Sequence, residues 1–90
     1  MLTYVLVLED NKYYVGKSSC LNVRIGSHWT GCGARWTRLN KPICIKCVHV
    51  GDKEKELTLA MMREHGWENV RGHAWCRIDM NNPPKELMQK

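Results

Sequence analysis

Apolar positions near the start run almost unbroken, as Tyr-Val-Leu-Val-Leu over 4–8. β-branched, aromatic and leucine residues dominate 3–8, which predicts a strand, and Lys-Tyr-Tyr-Val-Gly-Lys over 12–17 predicts a second. The period then changes. Over 18–29, behind serines suited to capping a helix, Leu21, Arg24, Ile25 and His28 fall at i, i+3, i+4 and i+7. Residues 30–42 read as a glycine-containing connection with one helical turn in 34–39, and 43–50 as a third strand. A helix follows over 52–66, stopped by Gly66, then strand or loop over 67–76. The β-β-α-β-α order predicts a mixed α/β (α+β) fold, with a small, mainly antiparallel three-stranded sheet flanked by helices. One domain over 1–80 and a polar C-terminal tail over 81–90 complete the expected organisation.

The first connection decides which side chains meet. A two-residue turn at Asp10-Asn11 would pair Tyr14 with Val7 and put Tyr4 on the opposite face from Tyr14. A three-residue loop, Glu9-Asp10-Asn11, pairs Leu8 with Lys12 and Leu6 with Tyr14. Tyr4, Leu6 and Tyr14 then share one face, and Val5, Val7, Tyr13 and Val15 the other. Such a loop needs a left-handed residue at its third position, and asparagine tolerates that conformation. The three-residue loop is therefore the expected one.

The helix over 18–29 raises a chemical question, because Arg24 and His28 lie on the face that carries Leu21 and Ile25. An inward arginine is costly unless something anionic or polar meets it. A boundary arginine reaching out to solvent, with His28 hydrogen-bonded in place, would answer for either residue alone. The two stand one turn apart beside a strand bearing Tyr14 and Lys17, and together make a cationic, proton-active cluster suited to a phosphate. The second helix offers carboxylates. Glu54 shares a face with Leu57, Thr58 and Met61, whereas Glu56 shares one with Leu59, Ala60 and Arg63. Glu54 lies nearer the inner stripe, and its ordinary role would be favourable charge in a first helical turn. Spacing alone leaves Glu56 open as well.

Charge agrees with a polyanionic partner. The 90 residues hold 14 Lys+Arg against 9 Asp+Glu, a net charge of +5, and the pI is about 9.1. Nucleic acid ranks ahead of an acidic membrane, and simple solubility is the plainer explanation. No segment approaches the roughly 20 apolar residues of a membrane span. Five cysteines without a secretory pattern imply free thiols in a reducing compartment, the cytoplasm, or the nucleus in a eukaryotic host. Cys44 and Cys47, with His49, His73 and Cys76 further on, raise a zinc reading. On a regular strand residues i and i+3 point to opposite faces, so small buried cysteines are the favoured account. The tryptophans at 29, 36, 67 and 75 are expected in core and rim packing, with base stacking as the alternative.

The residues at 4–8 and 13–28 resemble the core of the GIY-YIG nuclease superfamily. Its pattern is a tyrosine on the first strand, Tyr-Ile/Val-Gly on the second, then a helix with an arginine and often a histidine four residues later. A glutamate follows on a later helix. Arg24, eight residues after Gly16, is the most specific match. Residues 31–42 and 65–72 are similar to the connecting loop and a later segment of some viral and bacterial members, so the likeness spans about 3–72. The first motif here reads Leu-Thr-Tyr, matching only in its tyrosine. The resemblance implies a metal-dependent DNA endonuclease that cuts one strand at a time. Its site residues would be Tyr4, Tyr14, Lys17, Arg24, His28 and Glu54, with Arg35, Arg38 and Asn69 adding nucleic-acid contacts. Glu54 would hold Mg²⁺ or Mn²⁺, Arg24 the scissile phosphate, and one tyrosine the attacking water. Lys17 and Arg24 would lower that tyrosine's pKa, and His28 would relay the proton or bond the phosphate. The resemblance leaves plain, nicked, branched and damaged DNA open as substrates, and a homodimer or a separate targeting protein would supply what one small domain lacks. A non-catalytic nucleic-acid-binding module of the same fold is the alternative, and a zinc-binding interaction domain a third.

Overall fold

The computed structural model describes residues 1–88, so the last two residues of the expected polar tail lie outside the described residues. Strands β1 (Leu2–Leu8) and β2 (Lys12–Ser18) form the hairpin in the expected register, Leu8 opposite Lys12 and Leu6 opposite Tyr14. Its loop holds two left-handed residues, Asn11 at φ 57° and Asp10 at φ 60°. Both types tolerate this conformation because a short polar side chain can bond locally. Helices α1 (Leu21–Trp29) and α2 (Arg35–Leu39), strand β3 (Pro42–Val50) and helix α3 (Glu54–His65) follow. Strand β4 (Val70–Gly72) and the short helix α4 (Lys85–Met88) complete the chain.

The sheet has four strands in the order β3-β1-β2-β4, one more than the sequence predicts. Strand β1 pairs antiparallel with β2 on one side and β3 on the other, while β4 runs parallel to β2, with Val70 opposite Tyr13 and Gly72 opposite Val15. Three residues centred on an arginine carry no alternation to read. Their strand character comes from the pairing. Gly72 is required there by space, since a Cβ would lie 2.6 Å from the Val15 carbonyl oxygen and 2.7 Å from Thr58 Oγ1.

Covered on both faces, β1 is buried at Thr3–Leu6 and Leu8, which explains its continuous apolar run. One face packs Tyr4, Leu6, Leu8 and Tyr14 with Trp36 of α2 and with Leu21 and Ile25 of α1. The other packs Val5 and Val15 with Met61 and Met62 of α3, and half-buried Trp67 and Trp75 lie against this second cluster. Helix α3 also buries Thr58 and Leu59, leaving Leu57 only partly covered, so its inner stripe is broader than expected. Leu87 of α4 packs on the second cluster and Lys55 approaches Glu86 at 3.6 Å, which lays the C-terminal helix beside α3.

One feature departs from the sequence reading and a second goes beyond it. At the sheet edge, β3 carries a bulge that shifts its register, so that Cys44 and Cys47 stand opposite Val7 and Val5 and share a face. The inserted residue cancels the alternation of a regular strand. Cys44 is exposed and Cys47 half-buried, and all five cysteines are free. Arg71 is the second feature, only 3 % exposed and without a bonded carboxylate. Its guanidinium donates to the carbonyls of Trp67, Val70, Arg77 and Ile78 and stacks over Trp36 at 4.4 Å. This cation fastens 77–78 to the sheet, and burial pushes its pKa down. No helix of the described residues is long and apolar enough to cross a membrane.

Candidate active site

The site lies on the α1 face of the hairpin. Tyr4 reaches across Gly16, where a Cβ would sit 2.6 Å from Tyr4 Cζ and 2.9 Å from Tyr14 Cε2. A glycine on β2 is thus what lets the two rings converge. The rings of Tyr4, Tyr14 and His28 form a triangle with centroid separations of 6.4, 5.7 and 5.0 Å.

His28 is 1 % exposed and bonded on both ring nitrogens, Nε2 to Tyr4 Oη at 2.7 Å and Nδ1 to Thr37 Oγ1 at 3.0 Å. The Thr37 hydroxyl donates its own proton to the Ala34 carbonyl at 2.7 Å. Nδ1 therefore carries the ring proton and donates to Thr37, and Nε2 accepts from the Tyr4 hydroxyl. The Ala34 amide hydrogen also points at Nδ1, from a longer 3.4 Å, a contact that the protonated nitrogen does not accept. Burial, and secondarily the charge of Arg24, push the His28 pKa down to about 4, so the ring is neutral near pH 7. Enclosed behind Tyr4, it meets the tyrosine rather than solvent.

Arg24, one turn earlier on α1, is exposed at the rim. Burial raises the pKa of Tyr4, and the Arg24 guanidinium, facing its hydroxyl, opposes that rise. Tyr14 is pushed up to about 12, by burial first and then by Tyr4 and Cys76, again against Arg24. In the free protein both phenols thus keep their protons: Arg24 lowers their pKa as expected, but burial outweighs it, and Lys17 does not act on either.

Lys17 is directed elsewhere. Three residues from Tyr14, it lies on the opposite face of β2, where its Nζ binds Asp52 at 2.8 Å. This contact raises the Lys17 pKa and lowers that of Asp52. Asp52 accepts the Glu54 amide at 3.4 Å, and Thr3 Oγ1 accepts the Lys53 amide at 2.9 Å and donates to the Gly51 carbonyl at 2.6 Å. These bonds fix the first turn of α3 against the start of β1, and with it Glu54. The Glu54 side chain is 15 % exposed, its charge acts on Tyr4, and its Oε1 lies 3.3 Å from His73 Nδ1. Glu56 is exposed on the outer face of α3.

Asn69 is not brought to this cluster. It accepts from Lys12 Nζ at 2.8 Å and donates to the His65 carbonyl at 2.9 Å, closing the far end of α3. At about 1.5 Å per residue the helix separates it from Glu54 by roughly 18 Å. Arg35 and Arg38 are exposed on α2, whose Trp36 and Thr37 face inward. Arg38 and Lys41 line a cleft of about 510 Å³ with Trp29, next to His28. Sequence reading did not anticipate Thr37 as the partner of His28 or His73 as the neighbour of Glu54, since both contacts join separate elements.

Glu54 is a half-buried carboxylate whose charge acts on Tyr4, and among the described residues no group of three or more His, Cys, Asp or Glu side chains could hold an ion by itself. Water and substrate oxygens would complete a shell around it, a common arrangement for Mg²⁺.

Comparison with known proteins agrees with this geometry. The family model of the GIY-YIG catalytic domain matches residues 1–73. The chain is 35% identical over 67 residues to a UPF0213 protein of Bacillus cereus, covering 74% of this chain and 67% of that one. It is also 35% identical over 77 residues to a UPF0213 protein of Neisseria meningitidis, covering 74% of this chain and 84% of its relative. A UPF0213 protein of Xanthomonas campestris is 37% identical over 46 residues, 51% of this chain and 45% of that one. No solved structure matches the chain. With paired tyrosines across a glycine, an arginine and histidine on the next helix, and a family match over most of its length, the chain belongs to the GIY-YIG family of nuclease domains.

Proposed function

We propose that the chain is a metal-dependent endonuclease that hydrolyses DNA phosphodiester bonds one strand at a time. The observation that carries this reading is the hydrogen bond from the Tyr4 hydroxyl to a buried, neutral His28. Tyr4 is a poor base by itself, because its pKa lies above the ordinary value of about 10. With an acceptor behind it, Tyr4 takes a proton from the attacking water while passing its own to His28 Nε2. Thr37 holds the opposite ring nitrogen, and the proton Tyr4 loses stays inside the cluster. General base chemistry of this kind contributes about 10²–10⁴-fold.

Arg24, exposed at the rim, binds the non-bridging phosphate oxygens and offsets charge as the phosphorane forms. Tyr14, beside Tyr4, orients the water. Glu54 would hold Mg²⁺ or Mn²⁺, which would supply positive charge to the leaving oxygen. Lys17 supports Glu54 through Asp52. Arg35, Arg38 and Lys41 offer the exposed basic surface along which a DNA backbone would run.

The test is nicking of a supercoiled plasmid with Mg²⁺ or Mn²⁺, beside a chelator control. Conversion to open circles that the chelator stops is the expected result. Retarded DNA without cleavage in either metal would instead identify a binding module of the same fold.

A further inference from the structure

We propose that His73 is a second protein donor to the ion at Glu54, and that its imidazole biases the site toward Mn²⁺ over Mg²⁺. The inference rests on the reading of Glu54 as the metal carboxylate.

The first observation is distance. His73 Nδ1 lies 3.3 Å from Glu54 Oε1, longer than the roughly 2.7–2.9 Å of a charge-assisted hydrogen bond. This long hydrogen bond also matches the span of two donors on one ion. Donors about 2.1 Å from a common ion and 3.3 Å apart subtend about 104° at it, between the octahedral and tetrahedral angles. The second observation is how the histidine is held. Residues 73–74 form a tight turn closed by reciprocal Gly72–Trp75 backbone bonds of 3.0 and 2.9 Å. His73 sits there in the left-handed region at φ 52°, which L side chains seldom adopt. Trp75 flanks the ring at 5.4 Å, and Cys76 Sγ donates to the His73 carbonyl at 3.0 Å. The turn thus aims an imidazole from beyond β4 at the first turn of α3, and strained backbone of this sort concentrates at functional sites. The third is access, because the His73 side chain is 37 % exposed and leaves the pair open to an entering ion.

Donor chemistry sets the selectivity. Mg²⁺ prefers carboxylate and water oxygens, whereas imidazole nitrogen favours transition metals. An oxygen–nitrogen pair leaves the remaining positions for water and a phosphate oxygen.

The test uses the DNA-free protein. Mn²⁺ binding is followed by loss of the free-ion EPR signal, Mg²⁺ by competition, and the His73 ring by Mn²⁺ broadening of its NMR resonances. His73→Asn is the variant of choice, since asparagine tolerates positive φ and is too short to reach the ion. His73→Gly, which also suits the turn, serves if the first variant unfolds at a lower temperature. Mn²⁺ affinity is expected to fall about 10-fold or more, with Mg²⁺ affinity within about 2-fold and the wild-type ring broadened at substoichiometric Mn²⁺. If both variants bind Mn²⁺ as the wild type does while Glu54→Gln does not, His73 is no donor and the Glu54 reading stands. If Glu54→Gln also binds Mn²⁺ normally, the Glu54 reading itself fails.

Discussion

Gly16→Ala is the sharpest probe of how the tyrosines are held. A Cβ at this position would lie 2.6 Å from Tyr4 Cζ and 2.9 Å from Tyr14 Cε2, where ordinary contact begins near 3.4 Å. Tyr4 is fully buried and Tyr14 is 7 % exposed, so neither ring can swing aside into solvent. The extra methyl must displace the Tyr4 ring by close to 1 Å, and overpacking of this kind costs about 1–3 kcal/mol. For a domain of this size 1 kcal/mol moves Tm by about 4–8 °C, so a fall of roughly 4–24 °C is expected. The same displacement breaks the 2.7 Å bond to His28, and a misplacement of 1 Å costs on the order of 10²-fold in rate. Gly26→Ala is the matched control. Nothing lies within 4 Å of a Cβ at this position inside α1, and alanine is favoured over glycine in a helix by about 1 kcal/mol. It should raise Tm by about 4–8 °C. Thermal unfolding by circular dichroism and plasmid nicking measure both quantities. A Gly16→Ala protein with wild-type Tm and wild-type nicking would refute the account of Tyr4 lying across Gly16.

Arg24→Ala removes an exposed side chain, so stability should change by no more than about 0.5 kcal/mol while nicking falls at least about 10²-fold; wild-type nicking would remove Arg24 from the mechanism. The pH profile of cleavage should reflect His28. Its pKa is lowered to about 4, so the ring is an acceptor above that value and a blocked cation below it, and the acid limb should fall near pH 4. An acid limb near 6.5 would mean that His28 titrates as an ordinary exposed histidine. Arg71→Lys should destabilise by about 3 kcal/mol, seen in urea unfolding, because an ammonium cannot span the carbonyls and the Trp36 face that the guanidinium meets. A lysine variant as stable as the wild type would mean that these bonds contribute little.

Local rules were enough for the hairpin and for much of the site. Asn11 accepts a left-handed conformation, the loop length then sets the register, and strict alternation along β1 and β2 brings Tyr4 and Tyr14 to one face. Helical spacing turns Arg24 and His28 to the tyrosine side and Glu54 inward of Glu56, while the same alternation puts Lys17 on the opposite face from Tyr14, against the reading that grouped them. The remaining features depend on contacts between distant segments. Strand β4 exists because Val70–Gly72 finds the open edge of β2, and a parallel pairing leaves no mark in three residues. The bulge in β3 moves Cys44 and Cys47 to one face against the two-residue period. Spacing alone gives His28 no partner, whereas Thr37 and Ala34 of the α2 segment close over it, burying the ring and leaving Nε2 to accept the Tyr4 hydroxyl. His73 meets Glu54 from 19 residues away only because the turn after β4 folds back to α3. Periodicity records which way a side chain leaves its own element, and tertiary packing decides which group it meets there and whether water reaches them both.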